Sequence, residues 1–71
     1  MDVNHKYQVG DMVEFTFTAY GSPKIYHGVI SDRWGSVVHH ANKKVKVYKI
    51  NCLEKEMREF TISEILIIGK V

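Results

Sequence analysis

Cysteine occurs once in the 71 residues, at Cys52, so no disulfide can close within the chain and a cysteine-built metal site would lack ligands. A lone thiol suits a reducing, cytoplasmic setting. Proline also occurs once, at Pro23, and the five glycines are scattered, which excludes a glycine-rich phosphate loop. No stretch reaches the roughly 20 apolar residues that span a bilayer, and the amino end Met1-Asp2-Val3-Asn4-His5-Lys6 holds no apolar run of signal length. Neither secretion nor membrane insertion is expected. An excess of one charge is missing too: ten Lys and Arg stand against eight Asp and Glu, a formal net charge of +2. That balance permits nucleic acid as a partner without demanding it.

Apolar residues are plentiful: 45% of the chain is hydrophobic, enough for one small core and too little length for a second domain. A single domain over residues 1–71 is expected, with residues 1–6 flexible. From Tyr7 to Thr18 a turn signature, Val9-Gly10-Asp11, leads into alternation: Val13, Phe15 and Phe17 face one way, Met12, Glu14, Thr16 and Thr18 the other, the period of a half-buried strand. Ala19 to Pro23 breaks it. Lys24 to Ser31 reads as a second strand, where Gly28 marks a bulge or a close crossing. Asp32 to Lys43 reads either as a long hairpin loop or as a short extra strand between turns. Lys44 to Ile50 alternates again, with Val45 and Val47 on one face and Lys44, Lys46 and Tyr48 on a solvated one.

The rest admits two readings. As a β-meander, Asn51 to Met57 is a turn, Arg58 to Ile62 a fourth strand, Ser63-Glu64 a tight turn and Ile65 to Ile68 a fifth strand. As a helix over residues 52–60, Asn51 caps, Glu54 pairs with Arg58, and Leu53, Met57 and Phe60 form an apolar stripe. Ile62 favours the meander, because a strand puts it on the same face as Phe60. The fold class is therefore all-β with five strands; α+β with a short helix is the alternative.

Three features together resemble an SH3-like barrel of the KOW, Tudor and bacterial SH3 kind: Val9-Gly10-Asp11-Met12-Val13 before the first strand, Gly28-Val29-Ile30 in the second, and Phe60 to Leu66 near the end. Tyr20-Gly21-Ser22-Pro23, followed by Gly28-Val29-Ile30, is also similar to short SH3-like proteins of Gram-positive bacteria and their phages. The resemblance implies a small five-stranded SH3-like barrel and a phage or mobile-element setting, with no activity attached. It also implies ligand grooves between the loops after the first and second strands, near Tyr20, Tyr26 and Trp34. The basic residues usual between the two glycine positions of the KOW pattern are reduced here to Lys24.

Catalytic constellations are thin. His39 and His40 are adjacent and point to opposite faces of an extended chain; His5 and His27 are far from them in sequence, so neither a metal site nor a cofactor is expected. Cys52 with a histidine and Asp32 lacks any local signature, and a lone cysteine commonly fills a core. Glu54, Glu56, Glu59 and Glu64 are interleaved with Lys55 and Arg58, as on a solvated face.

Two surfaces remain for binding. Tyr20, Tyr26 and Trp34 are aromatic anchors for a protein partner. Lys43, Lys44, Lys46 and Lys49, with Tyr48 to stack on a base, would suit single-stranded DNA or RNA; the same lysines could instead guard a strand edge. The expectation is a non-catalytic module that is monomeric or weakly homodimeric and takes a protein, with nucleic acid as the alternative.

Overall fold

The computed structural model describes residues 4–18, 24–38 and 43–71. Its chain forms β1 (Met12–Phe17), β2 (Lys24–Val38), β3 (Lys43–Cys52), a 3-10 turn (Leu53–Lys55), β4 (Arg58–Ser63), a second 3-10 turn (Glu64–Leu66) and β5 (Ile67–Lys70). The five strands make one sheet in the order β4-β3-β2-β1-β5, antiparallel throughout. The expected all-β, five-stranded fold is the one observed. Successive antiparallel pairings carry the chain from β1 to β4, and β5 then returns to the free side of β1, so the first and last strands meet.

The entry to β1 is built as its sequence suggested. Gly10 has φ +97°, a left-handed conformation cheap only without a β-carbon, and the Asp11 carboxylate accepts the Gln8 N–H at 2.9 Å. Gly10 N–H then reaches Ile30 O at 2.8 Å, fixing the turn against β2.

One face of the sheet is dry. Val13 and Phe15 of β1, Tyr26 and Ile30 of β2, Tyr48, Ile50 and Cys52 of β3, Ile62 of β4 and Ile67 of β5 form a single cluster with Tyr7, and Phe17, Phe60 and Leu66 pack against it. With no second layer among the described residues to cover that face, the sheet must curl around its own side chains. Gly28 marks the tightest point: a β-carbon there would lie 2.6 Å from Asn51 O and closer still to the Ile50 side chain. The close crossing expected at Gly28 is a contact between β2 and β3.

Three expectations are corrected. Residues 32–38 are neither a loop nor a separate strand; they continue β2, and Asp32 to Val38 pair with Lys49 back to Lys43. A register shift between Ile30 and Asp32 bends the strand there. Side chains from Ser31 to Ser36 are all exposed, and a strand wet on both faces shows no alternation to read. The helix alternative over 52–60 is replaced by the short 3-10 turn and β4. Last, Ile65 does not open a strand: it sits in the second 3-10 turn at 88% exposure, and β5 begins two residues later with buried Ile67.

Candidate functional site

β1 stops opposite Val29, whereas β2 runs on to Val38 with β3 beside it. β4 flanks β3 only as far as Val47, so beyond the Trp34–Val47 pair the outer ends of β2 and β3 continue as a two-stranded arm. On β3 the inward residues are Tyr48, Ile50 and Cys52, so Val45 and Val47 point to the outer face. Trp34 lies directly opposite Val47, and Ser36 opposite Val45; residues opposite one another share a face, with β-carbons about 5 Å apart. Trp34, Val45 and Val47 thus form one cross-strand apolar patch. Ser63 of β4, opposite Val47, borders it. Trp34 is 36% exposed and stands outside the core cluster.

The other two expected anchors do not join it. Tyr26 is 8% exposed and lies in the core, its ring centroid 5.9 Å from that of Phe15 and 6.3 Å from that of Phe60. An inward position on β2 opposite Phe15 put it there. Tyr20 falls outside the described residues, as do His39 and His40.

The basic strand is only partly as expected. Lys44 is exposed and, among the described residues, has no carboxylate partner. Lys46 Nζ lies 3.5 Å from Glu64 Oε1 and Lys49 Nζ 3.9 Å from Glu59 Oε2. Lys43 pairs with Val38 through its backbone at the start of β3. Tyr48, placed by alternation on the solvated face, is fully buried. Alternation correctly groups Lys44, Lys46 and Tyr48 on one side. That side is open along the projecting arm and sealed where β3 enters the core.

Tyr48 holds a polar network at that seal. Its hydroxyl donates to Glu64 Oε2 at 2.5 Å and accepts the Tyr7 N–H at 3.2 Å. Burial, with Glu64 close by, pushes the phenol up to about 12. Burial also tends to raise the Glu64 carboxyl, but the Tyr48 hydroxyl, the Lys6 N–H at 3.0 Å and Lys46 outweigh it and hold Glu64 below its usual value. The His5 ring meets the Tyr48 ring edge to face at 5.1 Å, its Nε2 lies 3.0 Å from Trp34 O, and Arg33 Nη1 donates to Tyr7 O at 2.7 Å. Of the amino-terminal stretch expected to be flexible, residues 1–3 lie outside the described residues, while His5 and Lys6 are fastened to the arm and to Glu64.

A second polar cluster, which the sequence did not reveal, joins His27 of β2 to Glu14 of β1 and Glu54 of the first 3-10 turn. His27 Nε2 is 3.2 Å from Glu14 Oε1, and Nδ1 is 2.6 Å from Glu54 Oε2. The hydrogen bonds that the ring gives to Glu54 and then to Glu14 raise the imidazole above its ordinary value; those from the His27 ring and N–H hold Glu54 down at about 2. Only the strand register brings Glu14 opposite His27, and only the turn returns Glu54 to them. Cys52 Sγ sits 3.7 Å from Glu54 Oε1; burial pushes this thiol up, away from the thiolate a nucleophile needs. Among the described residues no three His, Cys, Asp or Glu side chains are grouped to hold a metal ion, and no helix is long and apolar enough to cross a membrane.

No family model matches the chain, and neither a curated protein nor a solved structure matches it significantly.

Proposed function

We propose that this chain is a non-catalytic protein-binding module that grips its partner through the outer face of the β2–β3 arm, with Trp34 as anchor. The observation that carries the reading is the placement of the chain's one tryptophan: it lies opposite Val47 at the base of the two-stranded arm and outside the core cluster. A tryptophan supplies on the order of 200 Å² of rigid contact surface, and such residues dominate protein interfaces. Charge narrows the partner. From Asp32 to Lys49 the sequence carries Arg33, Lys43, Lys44, Lys46 and Lys49 against the single carboxylate Asp32; Arg33, Lys44 and Lys46 lie on the side opposite Trp34, so they make the arm as a whole positive rather than line its outer face. The fitting ligand is an extended segment of a protein that offers one large apolar side chain flanked by carboxylates.

An SH3-like kinship accords with this reading, as does the strand order with a 3-10 turn just before the last strand. A cytoplasmic phage or mobile-element accessory factor, monomeric or weakly homodimeric, is the setting we infer. Single-stranded nucleic acid is the second reading, favoured by the same excess of cations on the arm. It is the weaker of the two, because Lys46 and Lys49 face carboxylates and the Tyr48 ring is not free to stack on a base.

The test uses a display library of extended peptides with one aromatic or aliphatic residue among Asp and Glu, alongside a charge-reversed library and oligo(dT). Saturable binding of acidic members, weakened at least about thirtyfold in Trp34→Ala, is expected for the loss of an anchor of about 2 kcal/mol. Equal binding by Trp34→Ala, or none by any acidic peptide, overturns the proposal. Oligonucleotide binding that falls steeply with salt and ignores Trp34→Ala would establish the second reading in its place.

A further inference from the structure

Cys52, opposite Gly28, is the last residue of β3 paired with β2, yet β2 extends back from there to Lys24. At the next position, His27, a side chain stands in for the departed strand. Glu54 Oε1 accepts the His27 N–H at 2.7 Å, and Glu54 Oε2 takes the Nδ1–H of the same residue at 2.6 Å. On the far flank of the ring, Glu14 meets Nε2 at 3.2 Å. Carboxylates only accept, so both ring nitrogens are donors, and only the imidazolium has two N–H groups.

The turn held in this way has reason to need holding. Glu56 and Met57 are consecutive residues at positive φ, 54° and 63°, a backbone conformation unfavourable for side chains with a β-carbon. Its other ties among the described residues include the Met57 N–H to Cys52 O at 2.8 Å, the Cys52 thiol 3.7 Å from Glu54 Oε1, and Lys55 Nζ 5.8 Å from the Tyr26 ring centre. Leu53 and Met57 are 44% and 48% exposed, so apolar burial adds little.

We propose that His27, Glu14 and Glu54 form a proton-operated latch that fastens the turn between β3 and β4 to the sheet when the imidazole is charged and loosens it when the proton leaves. A neutral imidazole donates from one nitrogen only. Whichever tautomer forms, the other nitrogen turns a lone pair toward a carboxylate, and the charge assistance of both contacts is gone. The charged and titratable groups that the contacts place at the ring or directly behind it are Glu14 from β1, Glu54 from the turn, and Cys52 from β3 behind Glu54. The two carboxylates nearest the ring favour its charged form.

The sign of the effect follows. Because the folded imidazole is raised, the latch is complete below the unfolded histidine value of about 6.5 and is lost as pH rises through the folded value. Glu54, lowered to about 2, contributes above the ordinary carboxylate value of about 4.3 and fails as pH falls toward about 2. All three groups are substantially solvated, so added salt weakens the latch.

The experiment is a proton NMR titration of the His27 ring with amide hydrogen exchange of His27 and Met57 over the same pH range, in the wild type, Glu54→Gln and Glu14→Gln. In the wild type the ring is expected to titrate above the ordinary value. Protection of both amides, corrected for intrinsic exchange, should fall about tenfold for each unit of that displacement. Glu54→Gln should lower the midpoint and flatten the pH dependence, with Glu14→Gln between the two. His27→Gln, uncharged at every pH, should hold the loosened level throughout. An ordinary midpoint in the wild type, or full low-pH protection in His27→Gln, overturns the latch.

Discussion

Tyr48 and Glu64 meet hydroxyl to carboxylate across 2.5 Å, and that contact joins three separate parts of the chain. Tyr48 belongs to β3 and Glu64 to the turn before β5, while the amino-terminal segment donates Tyr7 N–H to the phenol and Lys6 N–H to the carboxylate. A buried phenol with both its donor and its acceptor engaged costs little to bury. The arm's inward side is closed by this pair, which is why the Tyr48 ring cannot serve as a binding platform.

Tyr48→Phe should therefore destabilise the fold by about 1–3 kcal/mol, since it leaves the Tyr7 N–H without its acceptor and takes one donor from Glu64, which keeps the Lys6 N–H and Lys46. Urea unfolding measures the loss. The phenol is raised to about 12 in the folded protein, so its contribution is complete below the unfolded tyrosine value of about 10 and disappears as pH climbs toward about 12. Wild-type stability should fall across that alkaline interval more steeply than that of Tyr48→Phe.

Gly28→Ala tests the crossing of β2 over β3. The new methyl would press on the Ile50 side chain and lie 2.6 Å from the Asn51 carbonyl oxygen, a backbone atom that cannot turn aside. The strands must part locally, and a loss of about 1–3 kcal/mol or more is expected from overpacking. The denaturant midpoint should drop with the slope unchanged; a neutral substitution would show that the two strands are not held at this distance.

These residues also mark where sequence reading succeeds and where it stops. β1 was legible because one of its faces is dry and the other wet, so Val13 and Phe15 alternate with Met12 and Glu14. Ile62, 3% exposed on β4, decided correctly between strand and helix. The arm from Asp32 to Ser36 carries no such mark, being wet on both faces. Alternation along β3 says which residues share a side but not which side is dry, so Tyr48 reads as solvated; Tyr26 reads as a binding anchor from its residue type, which does not show that its position on β2 faces inward. Within the candidate site Trp34 was legible as a residue type, whereas its patch partners Val45 and Val47 required the register of β2 on β3. The contacts of His27 with Glu14 and Glu54 depend on the register of β1 on β2 and on a two-residue left-handed turn, and neither has a signature in composition or period.

Cys52 offers a chemical clock for opening at the same turn. The thiol is fully buried at the end of β3, beside Glu54, and burial keeps it protonated beyond its usual range. A maleimide or disulfide reagent should therefore react with the native protein at least about a thousandfold more slowly than with the chain in denaturant, the factor set by an opening free energy of about 4–5 kcal/mol. The thiolate fraction alone makes the native rate rise tenfold per pH unit below the thiol's titration. Loosening of the adjacent turn as His27 loses its proton adds to that slope where pH rises through the raised value of the imidazole, and Glu54→Gln should remove the added part while leaving the tenfold rise. Rapid labelling of the native protein at every pH would mean that Cys52 is not sealed where β3 meets Gly28, and the packing of β2 on β3 described above would have to be revised with it.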